Sequence, residues 1–134
     1  MKVALDTNIL LRLFLGDHPA QQNAALAVVK EAELVAIPIH AICEFVWVLT
    51  RGYKRSRAEA ATAIRALLGI PNAVADQPAI SAGLATLEAG GDFADGVIAL
   101  EGIRLGGDAF VTFDREAAEL LQAQGGNVLL LVPR

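Results

Sequence analysis

Short apolar runs, each ending abruptly in polar or turn-forming residues, constrain this chain more than any other feature. The first is Lys2-Val3-Ala4-Leu5, stopped by Asp6-Thr7-Asn8. The others are Leu34-Val35-Ala36-Ile37 closed by Pro38, a weak Ala73-Val74-Ala75, Ala109 to Phe113, and Asn127 to Val132. Each is too short for a helix and reads as a strand. Helical stretches lie between them: Asn8 to Leu15, Pro19 to Ala32, Ile39 to Arg51, a segment capped by Ser56 and running to Leu68, one from Asp76 to Gly90, Phe93 to Leu105, and Arg115 to Gln124. This alternation predicts α/β class, a single-domain α/β/α sandwich over residues 1–134 with a mostly parallel central sheet. Lys2 to Leu5 is expected to be a buried central strand. Asp6 then stands at a strand's carboxyl end, the edge where α/β sheets collect ligands.

Composition narrows the class. Apolar residues make up 54% of the 134, so both sheet faces are covered or some apolar surface meets a partner. The net charge of −4 means that nucleic-acid affinity would need a local basic patch or metal ions. Cys43 is the only cysteine, which rules out an intrachain disulfide and a thiolate zinc site and fits a reducing cytosol. No signal segment opens the chain, and the longest apolar run, Ala41 to Thr50, falls short of the ~20 residues that span a bilayer. A cytoplasmic, membrane-free protein is expected.

Local signals place several helix starts. Pro19 suits a first helical position after His18, and Ser56 with Glu59 three residues on forms a capping box. The helix from Ile39 is apolar on nearly every side, so it is expected to be mostly buried, with Trp47 in the core. His40, one turn before Glu44, reads as a polar rim residue rather than a general base.

Four carboxylates sit where chemistry is possible. Asp6 ends a strand, Glu44 interrupts the apolar helix, Asp95 lies in a first helical turn, and Asp114 follows the Phe110 to Phe113 run. Asp6, Asp95 and Asp114 each have a plain structural reading, as a cap or a charge favouring the helix dipole. Glu44 has none: no Lys or Arg lies between Pro38 and Thr50, and an unpaired buried carboxylate costs several kcal/mol. Acidic groups gathered on one edge repel unless a dication sits among them. Oxygen-only ligands suit Mg²⁺ or Mn²⁺ rather than Zn²⁺, and the matching chemistry is phosphodiester hydrolysis by metal-activated water.

Leu5-Asp6-Thr7-Asn8, Glu44 in its apolar helix, Asp92-Phe93-Ala94-Asp95-Gly96-Val97-Ile98-Ala99 and Val111-Thr112-Phe113-Asp114 resemble, in order and spacing, the motif regions of PIN-domain proteins, the VapC-type toxins of toxin–antitoxin pairs above all. The resemblance covers nearly the whole chain. It implies a Mg²⁺- or Mn²⁺-dependent endoribonuclease held inactive by an antitoxin, a homodimer, and an acidic quartet of Asp6, Glu44, Asp95 and Asp114. Gly96 departs from the pattern, where Ala or another small residue is commoner, and Gly costs about 1 kcal/mol against Ala within a helix. His40 departs too, standing where a small hydroxyl residue is commoner.

Supporting roles follow. Asp92 reads as an N-cap, with reach to the metal through water as its second reading; Thr7 and Asn8 as caps or as residues that orient Asp6 or accept substrate contacts; and Thr112 as an ordinary strand residue or as one facing the same way as Asp114 and binding a metal water. The run Arg51, Lys54, Arg55 and Arg57 is the one dense basic patch and a candidate RNA-backbone contact. Arg12, one turn after Asn8, is a further RNA candidate. Two rival readings share the acidic cluster: a phosphoacceptor signalling domain, which wants a Lys that this chain lacks after Lys54, and a non-catalytic partner-binding module.

Overall fold

In the computed structural model, which describes residues 1–133, the protein is mixed α/β, 60% helical, with parallel strands. The α/β class and parallel pairing expected from the alternation are therefore observed. The chain divides into two compact units, Met1–Asp76 and Gln77–Arg134.

The first unit is built on a three-stranded parallel sheet. Strand β1 (Lys2–Ala4) pairs with β2 (Leu34–Ala36), and β2 pairs with β3 (Ala73–Val74). Val35, at the middle of β2, is fully buried, whereas β1 forms an edge of this sheet with Lys2 and Ala4 exposed. The expectation of a buried central first strand is corrected by that order: an apolar run signals a strand, but its neighbours decide whether it lies at the centre. Helices α1 (Thr7–Phe14) and α2 (Pro19–Glu31) connect β1 to β2. Helices α3 (Ile39–Trp47) and α4 (Arg57–Leu68) connect β2 to β3. Between α3 and α4 lies a π-helical turn, Val48–Gly52. There the Thr50 hydroxyl donates to the Val46 carbonyl at 2.8 Å, the back-bonding that loosens a helix.

The expected capping box is present in full. Ser56 Oγ accepts from the Glu59 amide at 3.1 Å, and Glu59 Oε1 accepts from the Ser56 amide at 3.3 Å. Phe14 meets Phe45 edge-on, with ring centroids 6.2 Å apart.

The second unit pairs helices α5 (Gln77–Glu88) and α6 (Phe93–Arg104), then runs through β4 (Phe110–Thr112), α7 (Arg115–Ala123) and β5 (Val128–Leu130). β4 and β5 are parallel, with Val111 opposite Leu129. Two glycines let α5 and α6 approach closely. A Cβ on Gly83 would lie 2.5–2.7 Å from the Phe93 ring. A Cβ on Gly96 would collide with the Ala82 carbonyl and lie 2.5 Å from Thr86 Oγ1. The propensity cost of Gly96 therefore secures a close approach that alanine would obstruct.

Candidate active site

In the first unit, Asp6 caps α1 from the end of β1. The ladder's last bond, from the Leu5 amide to the Ala36 carbonyl at 3.0 Å, comes just before it. Asp6 Oδ1 accepts from the Ile9 amide at 3.0 Å, so the capping reading holds. Capping uses one carboxylate oxygen and leaves the other for a ligand. The Thr7 hydroxyl donates to Glu44 Oε2 at 3.1 Å, tying the first residue of α1 to the middle of α3. Asn8 is exposed beside them.

Glu44 is exposed, which corrects the expectation that it is buried. Helix α3 buries one face only, through Ala41, Ile42, Phe45 and Val46. No desolvation cost therefore argues for a metal at Glu44, and its case rests on position alone. Trp47, expected in the core, is 61% exposed on the same open face.

Arg12 is corrected as well. It is only 6% exposed and points inward, donating to Asp17 Oδ1 at 3.0 Å and to the Tyr53 hydroxyl at 3.2 Å. It clasps α1 to the following loop and to the end of the π turn, so it is not an accessible RNA contact.

In the second unit, Asp92, Asp95 and Asp114 lie at helix starts. Asp92 Oδ1 caps α6 by accepting from the Ala94 amide at 3.1 Å. Asp114 Oδ1 caps α7 by accepting from the Ala117 amide at 3.2 Å. The Thr112 hydroxyl, expected beside Asp114, accepts from the Asp114 amide at 2.9 Å and so fixes the turn leading into that cap. Asp95 lies in the first turn of α6. Burial raises its pKa above the usual carboxylate range, and the charges of Asp92 and Asp114 raise it further. Among the described residues, no three His, Cys, Asp or Glu side chains are grouped so as to hold a metal ion. In donor chemistry the acidic residues do fit a hard dication, since all offer carboxylate oxygen.

A family model for the PIN domain matches residues 3–121. The chain belongs to the PIN-domain family. Members of this family are generally metal-dependent nucleases, which supports hydrolase chemistry on nucleic acid for this PIN domain. Comparison with curated proteins finds no match. Among the described residues, no helix is long and apolar enough to cross a membrane.

Arg51, Lys54, Arg55 and Arg57 of this PIN domain are all exposed, but they are not equivalent. Arg55 pairs with Glu59 at 3.1 Å and lies 5.8 Å from the centre of the Phe14 ring. Lys54 sits in the left-handed region at φ 56°, which turns the chain between the π turn and α4. Replacing all four with Ser should weaken binding of single-stranded RNA and lower the slope of log affinity against log salt by about 2–3, given ~0.7 per phosphate contact. Binding titrations at several salt concentrations measure it. An unchanged slope would leave the run a solvated connection between helices.

Proposed function

We propose that this PIN domain is an endoribonuclease dependent on Mg²⁺ or Mn²⁺, acting as the toxin of a toxin–antitoxin pair in the cytoplasm and folding as one PIN-like domain over residues 1–134. The observation that carries the reading is the family match over residues 3–121. Asp6, Glu44, Asp95 and Asp114 are the residues proposed to hold the metal, with Asp92 reaching it through water. A dication held by carboxylates lowers the pKa of water and stabilises charge on a phosphodiester. The chain's own residues set up that chemistry. Thr7 holds Glu44 in place through its hydroxyl. The amides at the starts of α1 and α7 orient Asp6 and Asp114. Asn8, exposed two residues after Asp6, offers a further polar side chain.

Purified protein should cleave single-stranded RNA with Mg²⁺ or Mn²⁺ and stop on chelation. Undiminished cleavage in excess EDTA would refute metal dependence.

The open apolar surface supports a homodimer and an antitoxin partner. Val111 and its register partner Leu129 are both exposed on β4 and β5, and Phe113 is exposed just beyond. Light scattering at micromolar concentration should give a dimer's mass. A monomer that binds no apolar dye would contradict this part of the reading.

A further inference from the structure

Trp47 is the chain's only tryptophan, and it is 61% exposed on α3. The buried face of that helix is complete without it, through Ala41, Ile42, Phe45 and Val46. Tryptophan is a middling helix former and is highly buried on average, so a largely exposed one on a helix calls for an outward task. Its neighbours indicate the task. Glu44 lies one turn before it on the same face, and His40 one turn before that. Arg51 follows about one turn later, within the π-helical turn. All four side chains are exposed. The open stripe therefore presents an acid, an aromatic plane and a cation in succession. From Glu44 to Arg51 it extends about 10 Å at the helical rise.

We propose that Trp47 is a stacking platform for a base of single-stranded RNA, one helical turn from Glu44 on the exposed face of α3. This deepens the ribonuclease reading and rests on it. Protein interface cores favour Trp and Arg but are depleted in carboxylates such as Glu44, whereas proteins that hold single strands place aromatic planes beside cations along a groove. The stripe matches the second pattern. Stacking tolerates every base, because each has a π-face, so Trp47 positions a nucleotide without choosing its identity.

Because Trp47 is the sole tryptophan, its fluorescence reports stacking directly. The test titrates the full chain in EDTA, where cleavage is stopped, with a fluorescently labelled mixed-sequence oligoribonucleotide of about ten nucleotides, within the usual single-strand site sizes. Anisotropy of the label reads binding, and tryptophan emission reads the stack. Emission should be quenched in step with binding. Trp47→Ala should weaken affinity about tenfold or more, while Trp47→Phe, which keeps a plane, should stay within about threefold of the wild type. If RNA binds with unchanged emission and Trp47→Ala binds as tightly as the wild type, the stacking role is overturned and the ribonuclease reading stands. If labelled RNA neither binds in EDTA nor is cut with Mg²⁺, both readings fall. If free-protein emission is blue-shifted and reddens on dilution, and Trp47→Ala makes the protein monomeric, Trp47 lies between copies of the chain and the proposal is overturned.

Discussion

Asp95→Asn should lower RNA cleavage by at least about 100-fold, the scale on which removal of one electrostatic group from a catalytic site is felt. The same change should raise metal-free stability. Burial and the charges of Asp92 and Asp114 hold the Asp95 carboxyl above its ordinary pKa, so its ionised form is disfavoured in the folded state. For a raised pKa, the stability contribution is fully present below the unfolded-state value and is lost as pH rises through the folded-state value. Metal-free wild type should therefore lose stability as pH climbs out of the carboxylate range and then level off. The Asn variant should lack that part of the loss. Asn keeps the shape of the side chain and removes the charge. Against the gain stands the helix dipole, since a first-turn carboxylate is worth about 0.3–1 kcal/mol. Two neighbouring like charges outweigh one helix terminus, but solvent screens partly exposed groups, so the net gain should be only about 0.5 kcal/mol.

Magnesium reverses the order. A ligand at 100 times its dissociation constant adds about 2.7 kcal/mol of stability to a protein that binds it, and the variant should gain little of this. Thermal melting in EDTA and then in Mg²⁺, at about pH 7 and again in mild acid, separates the terms. A variant that melts below wild type in EDTA, yet gains as much from Mg²⁺, would make Asp95 a helix-terminus charge and nothing more.

What could be read from the chain in advance was what is local. Asp6, Asp92 and Asp114 cap the helices that follow them because a short carboxylate reaches an amide two or three residues on. The Ser56–Glu59 box works over the same distance. Strand positions were legible from apolar runs, and parallel pairing from the helices between them. The face that α3 buries was not legible. Helical spacing tells which residues share a face, but with apolar side chains almost all round it does not tell which face is covered. Glu44 and Trp47 therefore lie on the open face of α3, not in the core where an all-round apolar helix would put them. The inward turn of Arg12 was not legible either, because Tyr53, its hydrogen-bond partner, lies 41 residues away in sequence. Gly96 looked like a weakness because propensity is a local quantity, whereas the Ala82 carbonyl it accommodates belongs to another helix.

Phe93→Ala should cost about 3–5 kcal/mol of folding stability, the usual range for a large buried aromatic. Phe93 is 1% exposed and opens α6 between the cap at Asp92 and the carboxylate at Asp95. Its ring lies over Gly83 of α5, which has no side chain to fill the space that truncation leaves. A domain stable by about 5–15 kcal/mol would lose a large share of that stability. The converse change, Gly83→Ala in the wild type, should also destabilise, by about 1–3 kcal/mol, because its Cβ would lie 2.5–2.7 Å from the Phe93 ring. The two losses should not add. In the Phe93→Ala background the new methyl enters the cavity instead of colliding, so the double variant should be more stable than the sum of the single changes predicts, by about 0.5–3 kcal/mol. Urea denaturation of the four proteins of that cycle measures the coupling. Strict additivity would mean that α5 and α6 do not meet through this pair. The cleavage assay belongs beside the cycle. Because Phe93 anchors the turn that carries Asp92 and Asp95, cleavage by the double variant should stay as low as that of Phe93→Ala, whatever part of the stability the coupling restores.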